Sequence, residues 1–146
     1  MSLLARSNHE CETIHQGLRA FLEQKRGKFP RLFFLSNEEL IDIFGKGADL
    51  VDSMVSGESK GFIGNLFEGA EKVRFEQLSQ EVTHMISKDG EEVQLVQNVP
   101  TKRLSVDAWL GDFERTMVLT VKDYFFKAFE HQGKQDFVEW VHSWPG

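Results

Sequence analysis

The sequence predicts an α+β fold, mainly helical, in which long amphipathic helices accompany a small antiparallel sheet or hairpin. Three features predict it. Apolar residues recur at helical spacing near both ends of the chain, through Cys11, Ile14, Leu18, Phe21 and Leu22 and again from Val106 to Ala128. Between them, Asp89-Gly90 separates two strand-like runs, a short-range hairpin signal. The 146 residues, 40% hydrophobic with 13 Phe and 3 Trp, suffice for one domain with its own core.

The first helix is expected over 8–26. Lys25 and Arg26 fall in its last turn, where cations complement the helix dipole, and Gly27 follows as the expected C-cap. Next comes Phe29-Pro30-Arg31-Leu32-Phe33-Phe34-Leu35. Proline suits the start or edge of a strand, and the apolar residues after it fit a strand buried on both faces, so 29–35 reads as strand. Ser36, with Glu39 three residues on, forms a capping box for a helix over 37–44, which Gly45 and Gly47 end.

Ala48–Met54 reads as a short helical piece, and Gly57, Gly61 and Gly64 mark the loosest part of the chain. Phe62, Ile63, Leu66 and Phe67 give a helix over 62–70. Strands occupy 72–96, with the hairpin turn at 89–90, where a type I′ turn needs positive φ at both residues. Pro100 breaks the sheet, and Ser105 caps a long helix over 106–130. Its main stripe runs through Val106, Trp109, Leu110, Phe113, Met117, Val121, Tyr124, Phe125 and Ala128. Val118, Leu119 and Phe126 lie off the stripe, so the later half is expected to be buried on two sides. Gln132 to Gln135 is a break, and a short helix over 136–144 carries Phe137, Val138, Trp140, Val141 and Trp144. The apolar patch before Pro145-Gly146 has little chain left to cover it, which suggests a piece of something larger.

Composition and motifs point away from several chemistries. A net charge of −6 argues against nucleic acid as the main partner. No apolar run approaches the ~20 residues of a membrane span. The single Cys11 cannot form an internal disulfide, which suits a reducing compartment. Gly45-Lys46-Gly47 and Gly133-Lys134-Gln135 lack the hydroxyl residue of a phosphate-binding loop and read as turns. Cys11 and His15 have i, i+4 spacing but no second pair to complete a metal site, and His84 stands alone in a strand. There is no Gly-x-Ser-x-Gly elbow. Glu38-Glu39, Glu91-Glu92, Asp112 and Glu114 read as helix-start or solvated charges. No catalytic, cofactor-binding or metal residue is assigned. Lys25, Arg26, Lys28 and Arg31 place four cations in seven residues. They form either an anion-binding patch or, the favoured reading, a helix C-terminal cluster continued by a strand-edge arginine. An arginine there could also clamp a carboxylate bidentately at the helix–strand junction.

The stretch Lys25–Leu40, KRGKFPRLFFLSNEEL, resembles a signature of the linker region of dynein heavy chains. That family typically reads Leu-Glu-x-Lys-Arg, then Phe-Pro-Arg with aromatics, then Leu-Ser-Asn-Asp/Glu-Glu-Leu. Here Leu22-Glu23, Lys25-Arg26, Phe29-Pro30-Arg31, Leu35-Ser36-Asn37 and Glu38-Glu39-Leu40 match. The similarity continues in order through Phe67-Glu68-Gly69 with Lys72-Val73-Arg74-Phe75, then Met85-Ile86-Ser87 with Gly90-Glu91-Glu92-Val93. It ends with Trp109-Leu110, Glu114 and Met117, and Glu139-Trp140 with Trp144-Pro145. Gly45–Gly61 departs from the family's Asp-Pro…His-Leu-Lys-Lys path and holds an extra loop, and Ala70 replaces the commoner Ile.

The resemblance implies that 1–146 is a single piece of a dynein heavy-chain linker domain. That is a non-catalytic lever arm coupling ATP-driven changes in an AAA+ ring to tail movement of a microtubule motor. It implies no cofactor in this chain, ATP and Mg being held in the parent's AAA+ ring. It implies as partners that intramolecular ring and the dynein complex subunits, with no nucleic acid and no membrane. The location implied is cytoplasmic and cytoskeletal, including the axoneme of a cilium or flagellum, since the Leu-Ser-Asn-Glu-Glu-Leu wording is nearer to axonemal dyneins. The family-signature structural residues are Lys25, Arg26, Phe29, Pro30, Arg31, Ser36, Glu39 and Trp109, and the loop at Asp89 and Gly90 is a ring-contact candidate. Two other readings compete. An adaptor-like interaction domain unrelated to motors would bury Trp140 and Trp144 internally, and a small hydrolase or ligand-binding protein would show a deep pocket lined by convergent polar groups.

Overall fold

A computed structural model describes residues 3–47, 49–56, 61–131 and 137–142 of the chain. The expectations that fall on Gly57, on the break at 132–135 and on Asp136 and Trp144 to Gly146 lie outside these residues. The architecture is helical with one three-stranded antiparallel sheet, as the sequence predicts.

Helix α1 runs over Leu3–Lys28, 26 residues or about 39 Å at 1.5 Å per residue. It passes through Gly27 and is ended by Pro30 instead. The residue before a proline is pushed out of the helical region, and Phe29 is extended (φ −135°, ψ 93°). Most of α1 stands clear of the core. Ile14 is 69% exposed, Leu18 and Phe21 are over a third exposed, and Leu22 alone of the stripe is buried.

The strand expected over 29–35 is a 3-10 helix, Pro30–Phe34. Phe29, Leu32 and Leu35 are buried while Phe33 and Phe34 are exposed. Those three positions lie three apart, the period of a 3-10 turn. Leu32 N donates to Phe29 O at 3.0 Å and Leu35 N to Leu32 O at 3.2 Å. The proline occupies the first position, where its missing N–H leaves no bond unmade. The apolar run is therefore satisfied locally and needs no sheet neighbour.

Helix α2 spans Asn37–Lys46 behind the expected capping box. Glu39 N donates to Ser36 Oγ at 3.2 Å and Ser36 N to Glu39 Oε2 at 2.8 Å. It passes Gly45 and stops at Gly47, whose φ of +52° a side chain would resist. Helix α3 covers Asp49–Val55, and α4 only Ile63–Leu66. The helix expected to 70 stops because Phe67 turns extended (φ −130°) and enters the core.

Strands β1 (Lys72–Phe75), β2 (Val82–Ile86) and β3 (Glu92–Val99) form a meander in that order. Val73 opposes Met85, which opposes Val93. The register breaks between Val82 and His84, which lets Val82 and Met85, three apart, both face the core. The β2–β3 turn is not the expected type I′, because Gly90 (φ +86°) has positive φ and Asp89 does not. Gly90 N donates to Ser87 O and Ser87 N to Glu91 O, a three-residue loop with glycine at its left-handed position.

Helix α5 spans Val106–His131, again 26 residues. Its first half packs on the core through Val106, Trp109, Leu110 and Phe113. Thr116 and Thr120 are also buried, and they cover the outer edge of β3. Thr120 Oγ1 accepts from Val96 N at 3.1 Å and donates to Thr116 O at 2.7 Å, while Gln97 Nε2 donates to Thr116 Oγ1 at 3.3 Å. The later half of α5 is exposed, contrary to the expected two-sided burial. Val118, Leu119, Val121, Phe125, Phe126 and Phe129 are all open on the described surface. The helical stripe in the sequence is real, but within the described residues only its first half packs into the core. Helix α6, Phe137–His142, is tied to α5 by Trp140 Nε1 donating to Ala128 O at 2.8 Å.

Candidate functional site: the hub joining α1 to α5

The signature residues converge on one region, the meeting of the end of α1, the 3-10 turn and the start of α5. Lys25 reaches 82 positions along the chain to Asp107, with Nζ 2.6 Å from Oδ1. Both side chains are largely buried. The Lys25 ammonium also lies over the Phe21 and Phe44 rings, 5.6 Å and 5.1 Å from their centroids. Burial alone would push the Asp107 carboxyl pKa up. Hydrogen bonds from Lys25 and Ser105, with the Lys25 charge, outweigh that and hold it below its usual range. The pair joins the last turn of one helix, rich in cations, to the first turn of the other, where an anion is favoured.

Arg31 makes the second tie. Its Nε lies 2.6 Å from Glu114 Oε1 and its Nη1 donates to Leu66 O at 2.9 Å. The guanidinium covers the Phe67 ring at 5.0 Å. The bidentate clamp suggested by the sequence is thus divided between a carboxylate and a carbonyl, and the 3-10 turn is fastened to both α5 and α4. Arg26 Nη2 donates to Leu35 O at 3.0 Å and closes the turn back on α1. Of the four clustered cations, Lys25, Arg26 and Arg31 therefore spend their donors inside the molecule. Glu114, read from sequence as a solvated charge, is the partner of Arg31.

Aromatic rings fill the space between these ties. Phe29 meets Phe67 at 6.2 Å, Phe67 meets Phe113 edge-on at 5.2 Å, and Phe62 meets Trp109 at 6.4 Å. Trp109, Phe67 and Phe113 are at most 1% exposed. Such pairs contribute about 0.5–1.5 kcal/mol each beyond the area they bury. Pro30 stops α1, and the Ser36–Glu39 box starts α2, so each signature residue either turns the chain or fastens the hub. Asp89 and Gly90 lie elsewhere, at the exposed hairpin tip.

The sequence reading missed Asp107, Thr116 and Thr120. A signal for the first existed. Lys25 lies three and four residues after Leu22 and Phe21, on the apolar stripe, and a cation in that position needs a buried anion.

The other candidate chemistries do not assemble. Among the described residues no group of three or more His, Cys, Asp or Glu could hold a metal. Cys11 and His15 are exposed on α1. His84 Nδ1 lies 2.9 Å from its neighbour Thr83 Oγ1. A hollow of about 570 Å³ between β2, β3, α5 and α6 is lined mainly by Met85, Val93, Val121, Phe125 and Trp140, an apolar surface and not a convergence of polar groups. No helix among the described residues is long and apolar enough to cross a membrane.

Residues 1–128 match the family model described as dynein heavy chain, N-terminal region 2. The chain belongs to the dynein heavy-chain family. Human dynein axonemal heavy chain 1 is 33% identical over 139 residues, which is 95% of this chain and 3% of that protein. Human dynein axonemal heavy chain 12 is 33% identical over 145 residues, 98% of this chain and 4% of the relative. Human dynein axonemal heavy chain 3 is 32% identical over 145 residues, 98% of this chain and 3% of the relative. The chain thus spans a few hundredths of the length of the curated dynein relatives it matches.

Proposed function

We propose that this chain is a non-catalytic mechanical element of a dynein microtubule motor, part of the linker or lever arm that couples ATP-driven changes in an AAA+ ring to movement of the tail. It takes no nucleotide itself, and ATP with Mg belongs to the ring of the parent heavy chain. The axonemal names of its relatives support a place in the cytoskeleton of a cilium or flagellum, among dynein complex subunits. The observation that carries the reading is the hub. The motif residues Lys25, Arg26, Phe29, Arg31 and Trp109 fasten two 26-residue helices end to start through a close-packed core. A lever needs low compliance where its rods join, and a close-packed interior deforms little. The exposed tip at Asp89 and Gly90 is the surface assigned to meet the ring.

The test is Asp107→Asn in the full-length heavy chain, with ATP turnover and microtubule gliding measured on the same preparation. A loosened lever should keep most of its turnover and lose gliding velocity. An equal proportional loss of both, or of neither, overturns the proposal.

A further inference from the structure

The loop 100–105 joins β3 to α5 and borders a cavity of about 520 Å³. Its apolar wall comes from Phe21 of α1, Phe44 of α2, Val51 of α3 and Trp109 of α5. Lys25, Lys102 and Arg103 also line it. The three cations are not equivalent. Lys25 is neutralised by Asp107. Lys102 Nζ donates to the Leu78 carbonyl at 2.8 Å and has no ion pair among the described residues. Arg103 is exposed and has no hydrogen-bond or ion-pair partner among the described residues. It also holds φ at +63°, a region that non-glycine residues seldom occupy and that recurs at ligand clamps. A chain of net charge −6 therefore sets two cations that are without an ion-pair partner among the described residues at one aromatic-walled hollow, whose nearby carboxylate Asp52 is held by Gln80.

We propose that this cavity is the docking site for an acidic peptide segment, one that sets a bulky apolar side chain against Phe21 and Phe44 while its carboxylates meet Lys102 and Arg103. Charge complementarity selects the occupant. A wholly apolar segment would strip water from two cations and return no anion to them, and a basic segment would be repelled. The volume lies within the range of about 300–1,000 Å³ typical of ligand sites. Arg103 offers a planar fork suited to a carboxylate, and Lys102 offers a point charge on a flexible stem. An occupant would touch α1, α2, α3 and α5 together. The proposal rests on these residues and not on the lever-arm reading.

The experiment is zero-length cross-linking of the intact protein with a water-soluble carbodiimide, which joins a lysine amine to a touching carboxylate as an amide. The product is read by peptide mass spectrometry. The expected adduct links Lys102 to an Asp or Glu outside 1–146. Arg103→Glu keeps the reactive amine and alters an exposed side chain, so it should lower the yield at least about tenfold. Salt near 1 M, where screening acts within about 3 Å, should lower it as well. Adducts of Lys102 confined to carboxylates within 1–146, no Lys102 adduct, or a yield indifferent to Arg103→Glu would each overturn the proposal. Protection of Lys102 from acylation by ATP alone would assign the cavity to a nucleotide and overturn it too.

Discussion

The Lys25–Asp107 bridge can be tested by a thermodynamic cycle in which the single variants lose more stability than the double variant. At the observed 2.6 Å, an effective dielectric of about 20 gives an attraction of about 6 kcal/mol. Desolvating two ions withdraws several kcal/mol each, so the intact pair contributes little net stability. Removing one partner is a different matter, because the other charge stays buried. Asp107→Leu strands the Lys25 ammonium and should destabilise by about 3–5 kcal/mol. Lys25→Met should lie nearer the lower end. The thioether keeps its contact with Phe21 and Phe44, and Asp107 retains Ser105 and the helix N-terminus. The double variant should lose less than either single one. Urea unfolding followed by tryptophan fluorescence reads all four corners, since Trp109 is buried beside the bridge. Single-variant losses under about 1 kcal/mol that simply add in the double variant would refute the argument and make the bridge an ordinary solvated pair.

Three further outcomes follow from the same geometry. The depressed Asp107 pKa means that the unfolded chain takes up this proton first. The bridge's contribution should be complete above the ordinary carboxylate value of about 4 and drain away as pH falls through the lower folded value. Asp107→Asn should flatten that acid limb of a stability–pH curve. Arg31→Lys should lose about 1–2 kcal/mol in thermal or urea unfolding, because one ammonium cannot reach both Glu114 and the Leu66 carbonyl. Thr120→Val leaves Val96 N–H unpaired at the covered edge of β3 and should destabilise by about 1–3 kcal/mol, with faster hydrogen exchange at Val96.

Features decided by neighbours in sequence were readable in advance. The Ser36–Glu39 box and the hairpin at Gly90 depend on a few adjacent residues and appear where the sequence puts them, while β3 runs past the expected 96 to Val99, up to Pro100. The 3-10 turn escaped because Leu32-Phe33-Phe34-Leu35 is continuously apolar, and a short apolar run does not reveal its own period. Its three-residue spacing emerges only once Phe33 and Phe34 are seen to face outward. The late half of α5 misled for another reason. A stripe records that a helix has an apolar face, but not which layer lies against it. The pairs Lys25–Asp107 and Arg31–Glu114 join residues 82 and 83 positions apart, beyond any local rule. The residue types at the hub were all singled out in sequence except Asp107, and Glu114 was seen but misjudged.

Thr120 bonds back to the Thr116 carbonyl at 2.7 Å, and such hydroxyls compete for the helix's own acceptor and favour curvature. This occurs where α5 leaves the shelter of β3. The rod is therefore predisposed to bend at its point of emergence. A bend there would redirect the free half while leaving the packed rings around Trp109 in place.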